Sequence, residues 1–119
     1  MIVVTTEQVA GQPITESLGL VRGNTIRARH IGNDILAGLR GIVGGEIHEY
    51  AKLLGEAREQ ALDRMTKEAQ QLGADAVVGV RFSTSVIMGG AAEMLAFGTA
   101  VKLADAATID PVDLPNTNI

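Results

Sequence analysis

Arg58 is the residue that most invites a chemical explanation, because its neighbours on a helical wheel are apolar. It falls near the middle of a stripe with Leu62 and Met65. A guanidinium buried there needs a partner, since an unpaired buried charge is strongly destabilising. Glu93, or a carboxylate of a second copy, could form an ion pair that fixes helix to sheet or copy to copy. The alternative is an anion-binding site between copies, shared with Arg81.

A second group of residues could bind a metal ion. His30 ends a predicted strand and His48 begins a predicted helix, with Asp34 in the glycine-rich segment between them. Imidazole and carboxylate ligands suit zinc, copper or nickel, so a divalent transition metal is the cofactor to consider. No spacing here is diagnostic. The simpler interpretation makes His48 a solvated first-turn residue and His30 a strand-end residue.

Catalytic groups are not evident. The hydroxyl residues 83–85 have no histidine near them in sequence, and no nucleophile elbow is present. Gly41, Gly44 and Gly45 precede a helix but match neither a Walker A loop nor a Rossmann fingerprint. We therefore do not expect an enzyme.

One long helix must position these groups. Apolar residues at helical spacing predict it over about residues 46–72, and Gly73 is placed to cap its end. Alternating patterns predict antiparallel strands at 76–86 and 92–103, joined by a turn at 88–90.

The first part of the chain predicts shorter elements. Residues 1–4 indicate an edge strand, and residues 14–21 and 25–30 two further strands. Residues 22–24 between them favour a hairpin turn over a bulge in one long strand. Asn33 could cap a short helix over residues 34–40.

Length and composition set the class of protein. The 119 residues predict one domain over residues 1–105, followed by a mobile tail at 106–119. A net charge of −4 argues against a nucleic-acid partner, and the lack of cysteine excludes disulfides and thiolate metal sites. No stretch reaches the roughly 20 apolar residues that span a membrane. We expect a cytoplasmic protein without a membrane partner.

The sheet predicted from strands 76–86 and 92–103 is apolar on both faces. We expect the helix to cover the face with Leu95 and Phe97. The opposite face carries Val77, Gly79, Met94 and Ala96, and a sheet face exposed to water should be more polar. A second copy of the chain would cover it, which predicts a homo-oligomer with these four residues at the interface. Alternatively, residues 31–45 fold over that face within the same chain.

Several motifs together resemble the YbjQ-like family of small bacterial and archaeal proteins. They are Gly44-Gly45-Glu46, Tyr50, Ala57-Arg58-Glu59-Gln60-Ala61, Ala69, the run from Leu72 to Phe82, and Phe97-Gly98-Thr99-Ala100-Val101. The resemblance covers residues 1–104. It implies an α+β, two-layer fold like a dodecin subunit, with one helix on an antiparallel sheet, and a ring of five copies. Members are described as uncharacterised or heavy-metal-binding.

Sequence and resemblance together predict a homo-oligomeric protein that is either a structural module or a module that binds a small ligand or an ion, with Arg58 and Arg81 as ligand-binding candidates. The alternative is a heavy-metal-binding protein that holds zinc, copper or nickel through His30, His48 and Asp34.

Overall fold

The described part of the chain is a helix packed on a four-stranded sheet. A computed structural model describes residues 1–27, 45–87 and 91–105, with backbone alone at 45–50 and 87. The strands lie in the order β1-β3-β4-β2. β1 pairs parallel with β3, and the other pairs are antiparallel, so the sheet is mixed rather than purely antiparallel. The elements are β1 (Ile2–Val3), β2 (Ile14–Arg27), α1 (Gly45–Gln71), β3 (Ala76–Ile87) and β4 (Ala91–Leu103).

Helix α1 ends where the sequence predicts. Gly73 adopts a φ of 78°, which favours glycine because it lacks a Cβ atom. Its amide donates to the Gln70 carbonyl and the Ala74 amide donates to the Ala69 carbonyl, each at 3.0 Å. These two bonds form a Schellman motif and turn the chain directly into β3.

The core lies between α1 and the sheet and is built from small residues. On α1, Ala57, Ala61 and Ala69 face β2 and β4 beside the long side chain of Met65, which is fully buried. The helix comes so close that a Cβ atom at Gly23 of β2 would clash with the carbonyl oxygen of Ala61 and the amide nitrogen of Met65.

β2 is one continuous strand, so the predicted hairpin at residues 22–24 is wrong. Its irregularities lie earlier, between Ile14 and Glu16 and between Ser17 and Gly19, where Gly19 has a φ of 109°. Gly23 therefore serves close helix packing, not a turn.

A bulge at Gly79 shifts the faces of β3. The register with β4 jumps between Val78 and Arg81, and Gly79 adopts a φ of 62°. As a result Val77 and Val80 both face the helix, while Arg81 faces the opposite side, beside Phe97.

The helix covers the face that we expected to be open. Val77, Met94 and Ala96 are 0%, 5% and 0% exposed within a single chain, because they pack against α1. Gly79 lies in the bulge, half-buried beside the opposite face. Burial under the helix leaves the other three no surface for a second copy, so the predicted interface set is corrected. Leu95 and Phe97 lie on the opposite face.

Three segments, 28–44, 88–90 and 106–119, fall outside the described residues. They contain the predicted helix at 34–40, all but the last residue of the alternative cover at 31–45, the predicted turn at 88–90 and the predicted tail at 106–119. None of the helical residues that the structure describes forms a segment long and apolar enough to cross a membrane.

Candidate functional site

A cleft opens on the sheet face opposite α1, where the N-terminal segment crosses β3 and β4. Its volume is about 410 Å³, and we call it the N-terminal cleft. Val78 and Val101 form part of its floor and are 6% and 1% exposed. They belong to a second apolar cluster, which Ile2, Val4, Val9, Ile14 and Leu103 complete. The cleft lining comprises Glu7, Ile14, Ser17, Val78, Gly79, Arg81, Thr99 and Val101.

The backbone holds Arg81 in place at this cleft. Its Nη1 atom donates to the Thr5 carbonyl oxygen at 2.9 Å and to the Val80 carbonyl oxygen at 2.8 Å. A guanidinium carries five N–H donors, and these two bonds use both hydrogens of Nη1. Three donors, on Nε and Nη2, are left for other acceptors. Neutral carbonyl groups thus fix the positive charge in position, and no carboxylate of the described residues pairs with it.

Glu7 supplies the opposite charge in the same lining. It lies in the segment between β1 and β2, whose path is set by bonds from the Gly79 amide to the Thr6 carbonyl and from the Val80 amide to the Val4 carbonyl, at 2.8 and 3.1 Å. Glu7 and Arg81 both lie in the described part of the chain and do not form an ion pair with each other. The cleft therefore presents separated positive and negative groups above an apolar floor.

Arg58 does not take the position predicted for it. Its side chain is exposed, with Nη2 lying 3.9 Å from where a Cβ atom at Gly55 would be. The proposed partner Glu93 lies on the far face of the sheet, where its Oε2 accepts from Asn24 Nδ2 at 3.4 Å. The buried-guanidinium prediction is therefore wrong, because the small residues of α1 face the sheet and Arg58 lies on the helix flank. Arg58 and Arg81 lie on opposite sides of the sheet, so one chain does not combine them.

The predicted metal ligands lie where the structure does not describe side chains. His30 and Asp34 fall within the undescribed residues 28–44, and only the backbone of His48 is described. Among the residues described, no three or more His, Cys, Asp or Glu side chains come together to hold a metal ion.

The outer edge of β3 is a second notable feature. β1 and the residues after it pair with β3 only as far as Val80. From Arg81 to Ile87 the described residues place β4 on one side of β3 and no strand on the other. Phe82 and Val86, on the helix side of this stretch, are 44% and 85% exposed. Within the described part of the chain, the edge is therefore unpaired and flanked by apolar side chains.

Sequence reasoning missed Glu7, Ser17 and Thr99. No local pattern marks them, because they meet only when the N-terminal segment crosses the sheet. Arg81 was the one cleft residue singled out as a ligand-binding candidate, and the structure places it in the lining.

Fold and cleft define a small α+β protein in which a long helix covers one face of a mixed sheet and a polar cleft opens on the other. A family model described as "Putative heavy-metal-binding" matches residues 1–104. The chain belongs to this YbjQ-like family, as the sequence motifs predicted.

Curated relatives agree with this assignment, and a solved structure shares the fold. UPF0145 proteins from Methanosarcina acetivorans and Archaeoglobus fulgidus are 59% and 62% identical over 103 residues, which cover 87% of this chain and 97% and 95% of theirs. A UPF0145 protein from Thermotoga maritima is 57% identical over 103 residues, 87% of this chain and 97% of its own. A crystal structure of a DUF74-family protein of unknown function from Pediococcus pentosaceus superposes with a TM-score of 0.61 at 17% identity, covering 87% of this chain and 98% of that one. At that identity the match shows the fold alone.

Proposed function

We propose that this chain is the subunit of a homo-oligomeric protein that binds a small ligand, and that copies join through the outer edge of β3. The open edge from Arg81 to Ile87 is the observation that carries the assembly half of this proposal. Unpaired strand edges pair readily with another chain unless charge, proline or a covering element blocks them. This edge has no proline, and its only charge is Arg81 at its start.

The direction of the backbone groups supports pairing. The Val80 amide points outward, since it donates to the carbonyl of Val4, the residue after β1. Alternation along a strand then directs the amides and carbonyls of Phe82, Thr84 and Val86 to the same outer side. A strand of a second copy would satisfy these groups and cover the exposed Phe82 and Val86 side chains.

The same chain offers an edge on the far side of the sheet. β2 is the other terminal strand, and no described strand pairs with its outer side. The Arg64 Nη1 atom donates to the Asn24 carbonyl of this strand at 2.5 Å. Pairing between unlike edges is heterologous, and it gives a ring when the rotation between copies closes. A five-membered ring is the form that the family resemblance implies.

A proline at position 84 tests this assembly. Thr84→Pro removes an amide that points outward, so the pairing of β3 with β4 is retained while edge pairing is blocked. Thr84→Val is the control, because it keeps the amide and loses only the 3.3 Å hydroxyl contact to Met94 Sδ. We expect native mass spectrometry to show an oligomer for wild type and Thr84→Val, and a folded 12.4 kDa monomer for Thr84→Pro. A monomeric wild type at micromolar concentration, or a Thr84→Pro variant that assembles normally, would contradict the proposal.

Heavy-metal binding is the second candidate, and the description of the matching family supports it. The ligands that the sequence predicts for it, His30, Asp34 and His48, lie where the structure does not describe side chains. Titration calorimetry of tag-free protein with zinc, copper and nickel tests it. A His30→Ala/His48→Ala variant should lose binding, whereas micromolar affinity that survives in this variant excludes these ligands.

A further inference from the structure

The N-terminal cleft has the features of a site for a small zwitterion. Its lining carries one positive group, Arg81, and one negative group, Glu7, which do not neutralise each other. A ligand with a single charge would satisfy one of these groups and lie near the like charge of the other. A molecule that carries both charges satisfies both.

The fixed position of Arg81 favours a carboxylate as the group it binds. Its Nη1 atom is held by two backbone carbonyls, so its remaining donors, on Nε and Nη2, are oriented before any ligand arrives. Those donors form the fork that binds a carboxylate in a bidentate manner. The carboxylate of Glu7, on the segment that crosses the sheet, is suited to an ammonium group.

The floor of the cleft determines the rest of the ligand. Ile14, Val78 and Val101 are branched aliphatic residues, and two of them are almost fully buried. Gly79 adds no side chain, and a Cβ atom placed there would meet nothing within 4 Å, so the space beside the bulge is open. The volume of about 410 Å³ lies at the small end of the range for ligand sites, about 300–1,000 Å³.

From these features we propose that the cleft binds a free α-amino acid with an aliphatic side chain. Its carboxylate contacts Arg81, its ammonium group contacts Glu7, and its side chain lies on the floor formed by Ile14, Val78 and Val101. The hydroxyls of Ser17 and Thr99 line the same space and offer additional hydrogen bonds. The inference rests on the ligand-binding half of the proposed function and does not depend on how many copies assemble.

Three matched probes test the charge requirement. L-leucine carries both charges, 4-methylpentanoate lacks the ammonium group, and 3-methylbutylamine lacks the carboxylate. Because each charge-assisted bond contributes substantially, we expect leucine to bind about tenfold more tightly than either analogue in titration calorimetry. Equal binding of leucine and 4-methylpentanoate would indicate a site for anions alone and would overturn the proposal. The absence of leucine binding at millimolar concentration would also overturn it.

A variant pair tests the location. Glu7→Gln removes the negative charge from the lining, and Glu16→Gln removes an exposed carboxylate close by that does not line the cleft. We expect Glu7→Gln to weaken leucine binding about tenfold without weakening 4-methylpentanoate binding, and Glu16→Gln to change neither. Equal effects of the two variants would place the ligand elsewhere.

Native mass spectrometry separates this inference from the assembly proposal. An oligomer that binds no leucine contradicts the inference alone, and a monomer that binds leucine contradicts assembly alone.

Discussion

Replacing Gly23 with alanine should strongly destabilise the protein, because the helix rests directly on this position. A Cβ atom there would clash with two backbone atoms of α1 and would lie 2.8 Å from Arg64 Cβ. Ordinary contact begins at 3.4 Å, so relief of the Arg64 contact alone requires a movement of 0.6 Å, and the backbone contacts require more. Backbone atoms of a helix cannot rotate away as the end of a flexible side chain can, so α1 must shift as a unit.

The cost follows from the packing that this shift disturbs. A gap of about 0.5–1 Å forfeits a quarter to a half of the dispersion energy of each contact it opens. Ala57, Ala61, Met65 and Ala69 all pack against the sheet, so the whole stripe is affected. We expect a loss of about 3 kcal/mol in the free energy of unfolding, the upper end of the usual range for overpacked cores.

The assay is urea unfolding followed by circular dichroism at one protein concentration, with Gly55→Ala as the control. With a slope of about 2 kcal/mol per molar urea, the midpoint of Gly23→Ala should fall by about 1.5 M. Gly55 lies within α1, and the atom nearest to a Cβ added there is 3.9 Å away. Alanine at this position should therefore stabilise the protein by about 0.5–1 kcal/mol. The same chemical change should therefore act in opposite directions. If the Gly23→Ala variant were as stable as wild type, the inference that close contact with α1 requires glycine at position 23 would be refuted.

Two further substitutions test other parts of the fold. Gly73→Ala should destabilise the protein by about 1 kcal/mol because φ at this position is 78°. Gly73→Asn should cost less in the same unfolding assay, since asparagine tolerates that conformation better than alanine. Equal losses would contradict the capping role of Gly73. Thr25→Val should stabilise by about 1 kcal/mol, since the buried Thr25 hydroxyl has no hydrogen-bond partner among the described residues. A Thr15→Val control removes a hydroxyl that does donate, to the Lys102 carbonyl, and should not stabilise. A loss of stability in Thr25→Val would show that the Thr25 hydroxyl is satisfied.

Local sequence signals determined the elements that depend on neighbouring residues. The span and end of α1 follow from apolar spacing and from Gly73, and the β3–β4 hairpin follows from alternation on either side of a glycine turn. The edge strand at residues 1–4 also follows from its β-branched residues, and β1 lies there. The pattern that predicts each of these features can be read from residues close together along the chain.

Only the tertiary structure decided which sheet face the helix covers. Both faces of β3 and β4 are apolar, so hydrophobic patterning could not choose between them. Small residues on α1 and Gly23 on β2 allow the helix to approach one face closely, while Leu95 and Phe97 remain on the other. The bulge at Gly79 then directs Arg81 toward the N-terminal cleft. Contacts between residues far apart in sequence decide which face the helix covers and bring Arg81 and Glu7 into the lining of one cleft. Periodicity along the chain does not encode such contacts.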